Sequence, residues 1–286
     1  VQGVNIVGVR LNHHFPMYGD LIRSLQAAMG RLGLACSVSD NALRPGLVNI
    51  LVGSTVFAAR HHGLARTLRG IPFIVYQLEQ LHDSQGLLPQ YPEYWDLLTE
   101  AVSVWDYAPA STAYLLGRGL SRVTHLPPAH DPSLESFTPT PSPEWDVVFC
   151  GSPHPRRLRL LQGLRERGVK LLNLTQTYGA DRDRCLASAK IVLNIHAWDG
   201  LNGLETVRLS HLLANGCFVI SETGDHNPYG DGLVYAEYDA LASTCLDYLS
   251  RPSQERAAIA AKGYEAIRRI EMAELLRPIL AEVMAG

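Results

Sequence analysis

Two clusters in this chain combine residue types and spacings suited to binding an anion. The first is Gly151-Ser152-Pro153-His154-Pro155-Arg156-Arg157, directly after an apolar run. Gly151 lets the backbone approach a ligand closely. A helix opening behind it presents N–H groups, and Arg156 or Arg157 adds a charge-assisted fork for a phosphate. The second is Asn194 and His196 with Glu205, Arg208 and His211. On a helix the last three fall near one face, by the three-to-four spacing. A carboxylate there accepts ligand hydroxyls or caps the helix, and Arg208 takes an anion. Asp225 and His226, in the next loop, extend the same crevice. The plain alternatives are a polar loop with surface arginines, and a capping Glu205 paired to Arg208.

A third group lies earlier in the chain, with His13 and His14 after one apolar run and Glu79 after another. Histidines supply a general base near neutral pH, although exposed loop histidines read the same way. Adjacent histidines rarely point together, so they argue poorly for a metal site. Asp181-Arg182-Asp183 has the look of a metal-binding triplet, but its place before a helix favours capping. Neither GxGxxG nor GxxxxGK[ST] occurs, which speaks against dinucleotide and P-loop chemistry.

The elements that must position these groups alternate. Apolar runs at Val4–Val9, Val48–Val52, Ile71–Tyr76, Trp145–Cys150, Ile191–Leu193 and Cys217–Ile220 read as buried strands. Amphipathic stretches between them, including Leu21–Leu32, Phe57–Leu68, Leu158–Arg167 and the stretch from Leu204 to Asn215-Gly216, read as helices. A last short strand is expected at Gly230–Val234. The alternation means an α/β fold, a parallel sheet with helices on both faces. It breaks once, at Pro127–Glu144, where Pro, Ser and Thr dominate. That divides the chain into residues 1–128, a Pro-rich linker at 129–143, a second α/β domain at 144–270 and a terminal helix at 271–286, expected to pack back on the first domain.

Composition bounds the partners. With 286 residues the chain can bury two cores, and a net charge of −3 gives no reason to expect nucleic acid. Five cysteines without CxxC spacing read as buried reduced thiols, hence a cytoplasmic setting. No apolar run approaches the roughly 18 residues of a membrane span, and no signal peptide opens the chain.

The pattern resembles the GT-B glycosyltransferases. VVFCGSPHPRR with LRERG resembles the first strand–loop–helix of their nucleotide-sugar domain. RDRCLASAKIVLNIHAWDG with LETVRLSHLLANGCFVISE is similar to the donor-binding segment of the group 1 and spore-coat-type bacterial enzymes. IVYQLEQL and VWDYAPAS are similar to segments of that bacterial group. Group 1 enzymes carry a Glu-x7-Glu pair, but the corresponding positions here are Gly203 and His211. Glu205 with the Arg208…His211 spacing is closer to the spore-coat-type variant.

The resemblance implies two Rossmann-like domains facing across a cleft, and transfer of a sugar from a nucleoside-diphosphate sugar to an acceptor hydroxyl. It implies no metal and no cofactor beyond that donor, which is a substrate; the class of acceptor stays open. Donor binding then falls to Gly151, Ser152, Arg156, Arg157, Asn194, His196, Glu205, Arg208 and His211. His13, His14 and Glu79 are the acceptor-side candidates for catalysis. The alternatives are a nucleotide- or sugar-binding module without turnover, part of a larger polysaccharide-related protein, and a sugar-nucleotide epimerase of the same architecture.

Overall fold

Every strand pair among the described residues is parallel, as expected of strands built from Val, Ile and Leu and buried on both faces. The computed structural model describes residues 3–9, 17–54, 68, 70–83, 87–200 and 202–285. The helix expected at Phe57–Leu68 falls almost wholly outside them. The chain forms two compact units, Val1–Asp131 with Glu271–Gly286, and Pro132–Ile270.

The first unit holds β1 (Val4–Gly8), β2 (Cys36–Asp40), β3 (Val48–Val52), β4 (Phe73–Gln77), β5 (Ser103–Asp106) and β6 (Val123–His125). They lie in the order β2-β1-β3-β4-β5-β6. The helix Met272–Ala285 belongs to this unit and packs on Gly19–Arg31. It is seated by a bridge from His130 to Glu271 and by the Met272 N–H donating to the His130 carbonyl at 2.9 Å. Arg31 pairs with buried Asp131.

The second unit holds β7 (Trp145–Cys150), β8 (Leu171–Leu174), β9 (Ala189–Asn194), β10 (Val219–Glu222) and β11 (Val234–Ala236), in the order β11-β10-β9-β7-β8. Its last strand starts where the expected Gly230–Val234 strand ends, because Gly230–Gly232 is a 3-10 turn. One apolar cluster on each side of this sheet builds the core: Phe149, Leu161, Ile191 and Ile220 on one, Val148, Val192, Leu209 and Val219 on the other. In each unit the strand order reverses once, between β1 and β3 and between β7 and β9. The crevice beyond the strand ends at such a reversal is where α/β sheets take ligands.

The Pro-rich stretch expected to act as a linker is bonded onto the second unit. The Asn215 side chain, 4% exposed, accepts the N–H groups of Ser136 and Phe137 at 2.7 and 2.9 Å and donates to the carbonyls of Leu134 and His211. The Thr140 N–H reaches the Ala187 carbonyl at 2.8 Å.

Helix Ser253–Arg268 meets the 3-10 turn backbone to backbone. A Cβ on Gly263 would lie 2.4 Å from the Gly232 carbonyl oxygen and 2.8 Å from Leu213 Cδ2. Gly263→Ala should therefore lose about 1–3 kcal/mol of stability in urea titration despite the better helix propensity of alanine. A gain in stability would show that the two backbones have room to part.

Candidate functional site

The reversal between β7 and β9 gathers most of the residues singled out above. The loops leaving the two strands are tied together by the helix that follows β7, Pro155–Glu166. From it, Arg157 Nε donates to the Ile195 carbonyl at 3.0 Å, and Nη1 donates to Ser152 Oγ at 2.9 Å.

Two guanidinium groups converge here. The central carbons of Arg157 and Arg208 lie 5.4 and 5.6 Å from the centre of the Phe149 ring, which is fully buried. Burial, and then the charge of Arg208, depress the Arg157 pKa to about 10. Arg157 is 3% exposed, whereas Arg208 is half-buried and so the more accessible of the two. Gly151 makes room for it: a Cβ there would lie 3.2 Å from Arg208 Nη2 and 2.8 Å from Phe149 Cζ.

Several expected ligand contacts are engaged within the protein instead. Asn194 is buried; its Oδ1 accepts from Arg208 Nη1 at 2.6 Å and its Nδ2 donates to Ser221 Oγ at 2.9 Å. Both ends of its amide are engaged within the protein, and Oδ1 holds the Arg208 guanidinium. Arg156 is committed to carboxylates. Nη1 donates to Glu222 Oε2 at 2.6 Å, Nη2 to the other oxygen, and Nε to Asp199. Its guanidinium also stacks on Tyr238, 3.8 Å from the ring centre. Burial opposes the charge on Arg156, and Glu222 and Asp199 more than restore it, raising its pKa. That leaves little of Arg156 for a phosphate.

Helix Thr206–Ala214 starts behind Glu205, which occupies the cap position but makes no side-chain capping hydrogen bond. Its carboxylate lies 3.5 Å from Arg157 Nη2 and 3.7 Å from His196 Nδ1. Glu205 makes no capping bond, and the side chains it lies closest to are those of Arg157 and His196, with Arg208 acting on it through its charge. Burial pushes the Glu205 pKa up, and His196, Arg208 and Arg157 bring it below the usual value. His196 itself is buried, with Nε2 3.0 Å from the Thr223 carbonyl oxygen.

His211 is turned into the structure. Its Nε2 lies 3.0 Å from Asp183 Oδ1 and 2.8 Å from Arg182 Nη2, while Ser136 Oγ donates to Asp183 Oδ2 at 2.7 Å. Asp181 and Asp183 lie inside helix Gly179–Ala187 rather than before it, so neither caps it. Burial pushes the Asp183 pKa up, and His211, Ser136 and Arg182 overcome that and hold it far below the carboxylate range. Asp225 and His226 pair with each other at 2.6 Å. Among the described residues no group of three or more His, Cys, Asp or Glu side chains could hold a metal ion, and all five cysteines are free thiols.

In the first unit, His13 and His14 lie outside the described residues. Glu79, past the end of β4, accepts from Tyr18 Oη at 3.2 Å, and its N–H donates to Gln77 Oε1 at 2.9 Å. Gln77 Nε2 reaches Asp106 Oδ2 at 3.2 Å. Asp106 is fully buried, and burial raises its pKa to about 7 against the pull of the Ala108 N–H and Gln77. Asp106 and Glu222 are marked in the sequence only as acidic residues closing strands Ser103–Asp106 and Val219–Glu222.

Residues 138–274 match the family described as glycosyl transferase-like. Among curated proteins, the chain is similar to Uncharacterized protein L140 of Acanthamoeba polyphaga mimivirus, 27% identical over 180 residues, covering 57% of this chain and 58% of that protein. Uncharacterized protein R358 of the same virus is 32% identical over 118 residues, 39% of this chain and 41% of that protein. The chain thus spans little more than half of the first relative and less of the second.

Among solved structures, AviGT4, a glycosyltransferase involved in avilamycin A biosynthesis, aligns with a TM-score of 0.56 at 16% identity over 97% of this chain and 98% of its own. A TarM variant from S. aureus, in complex with UDP among other ligands, gives 0.61 at 11% identity over 82% and 55%. A putative UDP-N-acetylglucosamine 2-epimerase from Listeria monocytogenes gives 0.57 at 11% identity over 98% and 96%. Two parallel α/β sheets on this pattern give the chain the GT-B fold of these structures, and the match to the glycosyl transferase-like family falls on the second of its units.

Proposed function

We propose that the chain transfers a glycosyl group from a nucleoside-diphosphate sugar to an acceptor hydroxyl, with guanidinium groups rather than a metal ion neutralising the departing diphosphate. The observation that supports this best is the Arg157–Arg208 pair over Phe149, set beside Gly151 at the strand-order reversal of the matched domain. Two cations held close in a partly buried place repel each other, and an anion between or beside them relieves that repulsion. In the reaction the bond from the anomeric carbon to the diphosphate oxygen breaks, its electron pair stays on that oxygen, and Arg208 with Arg157 stabilises the charge. The acceptor oxygen bonds to the anomeric carbon and gives up its proton, for which His13, His14 and Glu79 remain the candidates. Within this reading Asn194 orients Arg208, Ser152 orients Arg157, and Glu205 offers a carboxylate for donor hydroxyls.

The epimerase reading draws on one particular observation, the neighbour of nearly equal length that the chain covers end to end. Incubation with a panel of nucleoside-diphosphate sugars separates the possibilities. Slow release of free sugar and nucleoside diphosphate without acceptor is the expected result. Interconversion of two sugar nucleotides would instead mean an epimerase, and tight binding with neither product a binding module.

Gly151→Ala gives a finer check. The added methyl crowds Phe149 and the Arg208 guanidinium, so UDP affinity by calorimetry should fall about tenfold to a hundredfold, the worth of one charge-assisted hydrogen bond. Unchanged affinity would mean that Arg208 can shift without consequence for the anion.

A further inference from the structure

His196 faces the protein with both ring nitrogens, and the chemistry of those two neighbours fixes its charge. The side chain is buried at the end of β9. Nε2 lies 3.0 Å from the Thr223 carbonyl oxygen, which only accepts, so this nitrogen carries a hydrogen. Nδ1 is buried with no hydrogen-bond partner, and the Glu205 carboxylate lies 3.7 Å from it. In the neutral ring that suits Thr223, Nδ1 would turn a bare lone pair toward a carboxylate. The doubly protonated ring suits both neighbours.

The charged groups around it come from three elements. Glu205 stands at the start of helix Thr206–Ala214. Glu222, at the end of β10, accepts the His196 N–H on Oε2 at 3.0 Å. From helix Pro155–Glu166, Arg156 donates to the His196 carbonyl at 3.3 Å, and Arg157 lies 3.5 Å from Glu205. Arg208 also acts on Glu205 through its charge.

We infer that His196 is a buried imidazolium that holds and neutralises Glu205, so that Arg157 and Arg208 keep their charge for an anion, and that anion affinity drops when His196 loses its proton. It is a positioning residue, acting through Glu205. Burial alone would push its pKa down, but Glu205, the Thr223 carbonyl and Glu222 outweigh that and raise it. The direction of the effect follows. Below the raised pKa, Glu205 is answered by His196. Above it, Glu205 is answered by the two arginines, and the net positive charge offered to a diphosphate falls by one. The affinity part of this inference rests on the second unit being the diphosphate site; the charge state of the ring does not.

The test has two arms, on the full chain. Calorimetric titration of UDP runs from about pH 7 to about pH 9, above the range near pH 6 where a terminal phosphate titrates. Wild type should lose about tenfold in affinity as the pH rises past the raised pKa of the His196 imidazole. His196→Gln should bind weakly with a flat profile, and Glu205→Gln should also be flat, since it removes the carboxylate that needs an answer. A wild-type pH profile in either variant would overturn the inference. The second arm follows the His196 imidazole by NMR without ligand, assigned by its disappearance in His196→Gln. Titration above the ordinary value of about 6.5 supports the imidazolium, and titration at or below it refutes the inference. Failure of wild type to bind UDP at any pH would remove the nucleotide reading and the affinity claim, and the NMR arm then decides the charge of the ring alone.

Discussion

Arg208→Ala should cost the chain at least about a hundredfold in affinity for UDP, since two lost charge-assisted hydrogen bonds at about 1.5–3 kcal/mol each amount to that or more. Arg208 is half-buried, so it is accessible, yet its direction is set from behind by Asn194 Oδ1 at 2.6 Å. Arg157 cannot substitute for it, being 3% exposed and bonded to Ile195 and Ser152. Lysine at 208 should restore only part of the loss, because a point charge cannot both meet Asn194 and fork onto a phosphate. Asn194→Ala should weaken binding less than Arg208→Ala, through loss of aim rather than loss of charge. Calorimetry on the three variants orders them, and an Arg208→Ala protein that binds UDP as wild type does would remove this residue from the site.

The largest stability effect is expected at Glu222. Its side chain and that of Arg156 are each 8% exposed and joined two-fold, and Glu222 also accepts the His196 N–H. Asp199, the other carboxylate on Arg156, is 81% exposed and so a poor substitute. Glu222→Ala leaves a guanidinium buried without its main counter-charge, which should cost about 3–5 kcal/mol in chemical denaturation. Replacing both partners, Arg156→Met with Glu222→Leu, should cost much less, because no lone charge stays behind. A loss below about 1 kcal/mol for Glu222→Ala would mean that the pair forms without contributing to the fold.

The strand–helix alternation was legible because parallel strands are buried on both faces and read as continuous apolar runs. It carried the parallel sheets, and with them the place where β7 and β9 end. Gly151 stood out at its strand–helix junction, but the side chains that need its missing Cβ, Phe149 and Arg208, did not, because Arg208 lies 57 positions on. The assignment of partners was not. Arg156 and Arg157 are neighbours in sequence, but consecutive helical residues point about 100° apart. One therefore turns to Glu222 at the end of β10 and the other to Phe149 on β7. His211 meets Asp183 across 28 positions, a pairing that helix spacing cannot reveal. Asn215 read only as part of a helix stop with Gly216; nothing local marks it as the residue that secures the Pro-rich stretch. Acidic residues closing apolar runs, Asp106 and Glu222, were the signals most easily passed over.

A crystal structure of the chain soaked or co-crystallised with UDP would show where an anionic tail docks. The diphosphate is expected beside Gly151 at the end of β7, with Arg208 Nη atoms within hydrogen-bond distance of its oxygens and Arg156 still on Glu222. A diphosphate bound elsewhere on the chain, or Arg208 turned away from it, would rule out donor binding at this strand end.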